Sequence, residues 1–213
     1  MLPQQPTLTS RELYSRYPWQ WLIECCYTLD QHDGVNPIKL FPDRAYLKEA
    51  LDVITNNRLV LFKKSRQMMM TWLVSLFGLW MAMFRQGQLI FYQSKKLADA
   101  VGDENAATGP LGRAKFTYRR LPELLQQRTP CEITSEKMIF RSNQSTIWAI
   151  PEGADIIRTH TASMIFADEA GFQPEFANAY TAAMPCIVGG GRFIGISTAE
   201  PGFFNELYED KVV

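Results

Sequence analysis

Histidine and cysteine are scarce in this chain: His32 and His160 are its two histidines, and Cys25, Cys26, Cys131 and Cys186 its four cysteines. None stands at C-x-x-C or another metal-ligand spacing, which argues against structural zinc and leaves reduced thiols in a cytosol as the simplest reading. Net charge is missing too. Twenty-two basic and 22 acidic residues cancel, so no global field draws the chain to nucleic acid, and any such contact has to come from a local patch. The N-terminal residues MLPQQPTLTSRELYSRY place proline and polar groups where a signal peptide needs an apolar core, so no secretory signal is expected. Residues 68–84 carry no charge, but they include Thr71, Ser75 and Gly78 and sit at the lower edge of spanning length, so they read as a helix enclosed by protein rather than lipid. No internal repeat is visible, and 213 residues suit one sizeable α/β domain.

Glycine is absent where it would be most informative. Residues 59–62 (LVLF) form a short apolar strand, residues 64–71 (KSRQMMMT) a basic loop, and residues 69–84 a long apolar helix. A strand that ends abruptly and turns into a helix makes a phosphate site, because free N–H groups and the helix dipole face the anion. The usual G-x-x-x-x-G-K-[ST] keeps only its last position, Thr71, whose hydroxyl suits Mg²⁺. Lys64 stands in place of the first glycine, and Met69 and Met70 replace Gly-Lys. The cation has moved along the loop, to Lys64 or Arg66, with Lys63 also open as the phosphate lysine. Lys64, Ser65, Arg66, Gln67, Met68, Met69, Met70 and Thr71 are therefore the candidate nucleotide contacts.

Around this unit the pattern alternates. Trp19, Leu22, Ile23 and Cys26 predict a helix over 18–29, a turn follows at 32–37, and Leu47, Leu51 and Ile54 share the face of a second helix ended by Asn56 and Asn57. Residues 1–58 thus read as a helical preface packed on a core over 59–213. Residues 88–93 predict a buried strand and 95–101 a helix. The small, acidic, glycine-bearing stretch 102–112 predicts a mobile loop without core contacts. A helix over 113–127 carries Arg113, Lys115, Arg119 and Arg120, which suits a solvated face or a contact with DNA phosphates. A hairpin is expected from 137–140 and 145–150, a strand over 163–167, a helix over 174–184, a strand at 192–198 after Gly189, Gly190 and Gly191, and a last helix over 205–210. Short apolar strands alternating with helices predict a mostly parallel sheet covered on both faces.

The strand at 163–167 ends in Asp168-Glu169, at the edge of an open α/β sheet where ligands bind. Hydrolysis of a nucleoside triphosphate needs one carboxylate for Mg²⁺ and another to orient the attacking water, and Asp168 and Glu169 suit those roles in that order. Arg158, ten residues upstream, suits either a surface ion pair or an arginine finger given within the chain or by a neighbour. Ser197 and Thr198 end the next strand, either capping a turn or sensing the γ-phosphate.

With these pieces in order, KSRQMMMTW, PEGADIIRTHTASMIFADEAGF and GISTAEPGFF resemble the ATPase motor domain of the large terminase subunit of tailed double-stranded DNA bacteriophages, over about residues 59–207. The resemblance implies a RecA-like P-loop NTPase fold, ATP and Mg²⁺ as ligands, and a loop lysine displaced to the front at Lys64. It implies Lys64, Arg66 and Thr71 as phosphate and Mg²⁺ residues, Asp168 as the Mg²⁺ acid, Glu169 as catalytic base, Arg158 as a trans-acting finger, and Ser197, Thr198 and Ala199 as the coupling motif. It further implies double-stranded DNA, a portal protein, a small terminase subunit and a five-membered ring of like subunits as partners, in the host cytoplasm on the procapsid. The upstream adenine-reading glutamine common in that family has no counterpart in residues 41–47, where Arg44 or Tyr46 takes its place. The nuclease domain that follows the motor in that family is not in this sequence, so DNA cleavage is not expected of it. A helicase fragment and a non-hydrolysing nucleotide scaffold are the alternatives, the second favoured by Met69 and Met70.

Overall fold

The computed structural model describes residues 8–210, with side chains from residue 12 onward; the first seven residues, on which part of the signal-peptide expectation falls, lie outside the described residues. The chain opens with α1 (Leu8–Arg16), α2 (Pro18–Cys25), the strands β1 (Tyr27–Leu29) and β2 (Ile38–Leu40), and α3 (Ala45–Asn56). Next come β3 (Leu59–Lys63), α4 (Met70–Phe84), β4 (Leu89–Ser94), α5 (Leu97–Val101), α6 (Pro110–Tyr118) and α7 (Glu123–Arg128). Then follow β5 (Glu132–Ile133), β6 (Lys137–Phe140), β7 (Ser145–Pro151), α8 (Asp155–Thr159), β8 (Met164–Asp168), α9 (Phe176–Val188), β9 (Arg192–Ser197) and α10 (Phe203–Asp210).

Seven strands make one sheet in the order β3-β9-β8-β4-β7-β6-β5. The first five are parallel and the last two add antiparallel pairs at one edge. Alternation along the central strands divides the core in two. Ile90, Tyr92, Met164, Phe166, Ile194 and Ile196 face one cluster with α2, α3, α4 and α6. Phe91, Ile165, Ala167 and Phe193 face the other, with α8, α9 and α10. Both faces are thus covered, as the near-continuous apolar strands require.

Thirteen of the 15 residues of α4 are buried, which explains its uniformly apolar sequence: it lies between the sheet and a layer of helices. No helix among the described residues is long and apolar enough to cross a membrane. Its close approach to the sheet depends on Gly78, where an added Cβ would fall 2.3 Å from the Tyr92 hydroxyl oxygen. That hydroxyl is itself fully buried and donates to the Ser75 carbonyl. Gly78→Ala is therefore expected to destabilise the fold by about 1–3 kcal/mol through overpacking, read as a lower denaturation midpoint at unchanged slope.

Several elements differ from the sequence-based expectation. The helix at 18–29 stops at Cys25, because Tyr27, Thr28 and Leu29 pair antiparallel with Leu40, Lys39 and Ile38; aromatic and β-branched residues beside a turn favour the ladder over another helical turn. The stretch 102–112 is packed rather than free of core contacts, with Ala107 and Leu111 buried. Gly102 and Gly109 lie backbone to backbone, at φ of 60° and 61°, where a side chain on either would collide with its neighbour's main chain. The helix at 113–127 is two helices, broken where Pro122 caps the second. The helix at 174–184 runs on to Val188, carrying Pro185 inside it.

Candidate nucleotide site

The strand order sets the site. β9 lies between β3 and β8, so the loop after β3, the Ser197-Thr198 turn and the Asp168-Glu169 pair emerge side by side from one sheet edge. The Lys64 amide extends the β3–β9 ladder by donating to the Ser197 carbonyl at 2.9 Å. Beyond it the loop makes two left-handed turns, at Gln67 (φ 61°) and Met69 (φ 57°). Met69 thus keeps a backbone conformation proper to the glycine it replaces, at a cost of about 1 kcal/mol or more. Leu73 is the first residue of α4 to donate within the helix, to the Met69 carbonyl at 2.9 Å. The amides of Met70, Thr71 and Trp72 are therefore left without intrahelical acceptors at the cleft. Gln67 is exposed, so Gln67→Gly relieves the same strain without loss of packing. It is expected to raise stability by about 1 kcal/mol, measured by denaturant titration.

Loop and acids touch directly. Lys64 Nζ lies 2.7 Å from Glu169 Oε1, its side chain 10% exposed against 42% for Glu169. The Thr71 hydroxyl donates to Asp168 Oδ1 at 3.0 Å. Glu169 sits in the left-handed region at φ 48°, which turns its carboxylate back towards the loop, and its Oε2 accepts from the Thr198 amide at 3.4 Å. Ser197 is buried; its Oγ accepts from the Gly171 amide at 3.1 Å. Gln173 Nε2 donates to the Asp168 carbonyl at 2.9 Å. These bonds fix the turn that carries both acids. Burial pushes the Asp168 carboxyl up to about 6, against the lowering influence of the Arg113 charge and the Thr71 hydroxyl.

Lys64, Thr71, Asp168, Glu169 and Thr198 line a cleft of about 1110 Å³, large enough for a nucleotide. Arg66, Gln67, Met68, Met69 and Met70 line it with Lys64 and Thr71, while Ser65 is exposed outside it. The β1–β2 hairpin and the stretch 102–109 form its far walls, joined where Gln31 Nε2 donates to the Ala106 carbonyl at 3.2 Å. A hydroxyl beside a carboxylate is a hard oxygen donor set that fits Mg²⁺, and cation donors with free amides fit a polyphosphate. Among the described residues no cluster of three His, Cys, Asp or Glu side chains suits a protein-only metal site.

The other predicted residues are distributed unevenly. Lys63 turns away, pairing with Glu209 at 2.7 Å and lying over Tyr208, so of these two lysines it is Lys64 that lines the cleft. Arg44 lines the cleft wall, with Nη1 3.4 Å from the Tyr46 hydroxyl; Tyr46 packs on the core and does not line it. Ala199 is exposed and stands outside the cleft. Arg158 is exposed at the end of α8, 3.8 Å from Asp155, and borders a separate cleft of about 410 Å³ with Thr181 and Cys186. It does not line the main cleft.

The four basic residues at 113–120 do not share one face: Arg119 is exposed and Lys115 is buried. Lys115 is buried and donates to the Thr134 and Ser135 carbonyls at 2.8 and 2.7 Å. Arg119 pairs with Glu104 at 2.8 Å, and Arg120 lies over the Phe116 ring. Arg113, the residue that sequence reasoning misplaced, lines the cleft. Gly109-Pro110, a helix start with proline at its first position, was the signal that would have moved the start of the helix back from 113 to 110 and put Arg113 one turn into it.

No family model matches the chain. Among solved structures, the large terminase of bacteriophage HK97 superposes with a TM-score of 0.66 at 17% identity, over 93% of this chain and 41% of that one. The large terminase ATPase domain of Thermus phage P74-26 superposes with a TM-score of 0.58 at 18% identity, over 78% of this chain and 69% of that one. The chain thus spans less than half the length of the HK97 protein, and its α/β fold is the one found in these large terminase ATPase domains.

Proposed function

We propose that this chain is the ATP-hydrolysing motor domain of a viral DNA-packaging terminase. The observation that carries the reading is the direct contact of the Lys64–Thr71 loop with Asp168 and Glu169 in a nucleotide-sized cleft. The fold comparison supports it.

In this reading the free amides of the loop and the side chains of Lys64 and Arg66 hold the phosphates, and Arg44 stands near the base. Thr71 and Asp168 would hold Mg²⁺, which when bound offsets the charge of the β- and γ-phosphates. Lys64 leaves Glu169 for the phosphates. The freed carboxylate then takes up a water proton as general base. Because Glu169 also holds the Thr198 amide, its change of partner reaches the turn at Ser197, Thr198 and Ala199, which gives a path from hydrolysis to movement. Arg158, exposed and outside its own cleft, serves a neighbouring subunit. Double-stranded DNA is the translocated substrate, and a ring of five such chains with portal and small terminase subunit is the working assembly, in the host cytoplasm.

The test is phosphate release from Mg²⁺–ATP at high protein concentration with double-stranded DNA. Arg158→Ala and Glu169→Gln are each expected to be inactive, and an equimolar mixture to regain activity, since one chain then supplies the finger and the other an intact base. No recovery on mixing contradicts the trans role of Arg158. Nucleotide binding without turnover by the unaltered chain under these conditions contradicts the motor and favours the scaffold.

A further inference from the structure

We propose that Arg113 binds the terminal phosphate of the nucleotide from within its own chain. This rests on the nucleotide reading above and adds to it a residue and a specificity. Arg113 sits one turn into α6 and lines the cleft. Its guanidinium carbon lies 5.5 Å from the centre of the Trp72 ring, the residue that follows Thr71 in α4. The ring gives the cation a flat support and no hydrogen-bond acceptor. Its Nε is fully buried with no hydrogen-bond partner, and no carboxylate among the described residues pairs with it; the counter-charge it feels is Asp168, acting through space.

Such an arrangement is unusual for arginine. A guanidinium carries five N–H donors in a fixed fork, and a buried one is normally matched by carboxylates or carbonyls. Lys64 is held by Glu169, the Thr71 hydroxyl by Asp168, and Lys115 by two carbonyls, whereas the Arg113 fork, like the more exposed Arg66 in the same cleft, has no such partner among the described residues. Arg113 rests on the Trp72 ring in the cleft that Asp168 also lines, with its buried Nε unpartnered. Phosphate oxygens are the acceptors that complete it, because the fork matches two of them at once. Arg113, Trp72, Thr71 and Asp168 line one cleft, and Thr71 and Asp168 are the residues that would hold Mg²⁺ with the outer phosphates. The consequence is discrimination: a triphosphate satisfies Arg113 and a diphosphate leaves it as it stands.

Calorimetry with Mg²⁺–ADP and with a Mg²⁺-bound non-hydrolysable ATP analogue tests this on the whole chain. The unaltered protein is expected to prefer the triphosphate. Arg113→Ala is expected to cut triphosphate affinity about tenfold or more and to leave ADP affinity within about twofold, and Arg113→Lys, which keeps the charge without the fork, to recover part of the loss. Equal loss for both nucleotides, as from a merely structural role, or no loss for either, overturns the proposal while leaving the nucleotide reading intact. Failure of the unaltered chain to bind either nucleotide overturns both. If Arg113→Ala does not fold, Arg113→Gln, which keeps the stem over Trp72, is expected to show the same selective loss, and an unchanged preference in it overturns the proposal.

Discussion

Glu169→Gln is expected to lower the rate of phosphate release by about 10²–10⁴-fold, the usual contribution of a positioned general base, while nucleotide affinity holds or rises. The amide keeps the size of the carboxylate and its acceptor for the Thr198 amide, but it has no charge to hold Lys64. Lys64 is paired with Glu169 at 2.7 Å, and that pair has to open before the lysine reaches a phosphate. Removing the charge removes this competition. Affinity and rate are thus expected to move in opposite directions, a signature that a general loss of structure does not produce. Rapid-quench turnover and calorimetry on the same preparation check it; a variant that binds weakly and still hydrolyses at the original rate removes Glu169 from the mechanism.

The second large effect is on pH. Burial raises the Asp168 carboxyl from 3.8 to about 6, so without ligand this acid holds a proton below that value. A cation takes only the carboxylate form, and binding below about pH 6 has to displace the proton. Mg²⁺-dependent nucleotide affinity is therefore expected to be level above about pH 6 and to weaken by up to about tenfold per pH unit below it. Asp168→Asn is expected to abolish the inflection together with most of the Mg²⁺ dependence. The stability of the ligand-free chain moves in the opposite sense. Its folded value lies above the unfolded one, so the folded chain binds the extra proton between about pH 4 and 6. The Asp168 contribution is complete below that window and is lost as pH rises through it. Mg²⁺–nucleotide restores stability at pH 7 by favouring the ionised form. Titrations at several pH values, with and without Mg²⁺, separate the two trends.

Much of this was legible in the residues, for reasons that differ by element. The strands SMIFA and RFIGIS are apolar on both faces, and that alone places them inside a parallel sheet. Thr71, Asp168 and Glu169 were legible because each ends or follows such a strand. The order of the strands was not. Only the fold puts β9 between β3 and β8, and this brings Ser197 and Thr198 into the site. Met69 and Met70 argued against a phosphate loop on letters, yet Met69 adopts φ 57°; backbone conformation is not written in side-chain type when the surrounding packing imposes it. Arg113 was hidden by its neighbours. Four basic residues on one helix suggest an outer surface, whereas Lys115 turns inward to carbonyls and Arg113 to the cleft. The β1–β2 hairpin was concealed by helical spacing at Trp19, Leu22, Ile23 and Cys26 that holds only as far as Cys25. Arg158 was legible only as a surface ion pair or a finger given within the chain or by a neighbour; the fold places it exposed beside Asp155 and away from the lining of the cleft.

In the proposed site Lys64, Thr71 and Asp168 act together on a magnesium-bound triphosphate. Calorimetric titration of the unaltered chain with a non-hydrolysable ATP analogue, with and without Mg²⁺, beside Lys64→Ala and Asp168→Ala, tests this most directly. The prediction is saturable one-to-one binding that requires Mg²⁺ and falls by at least about tenfold in each variant. No binding by the unaltered chain, or binding that neither substitution weakens, contradicts it.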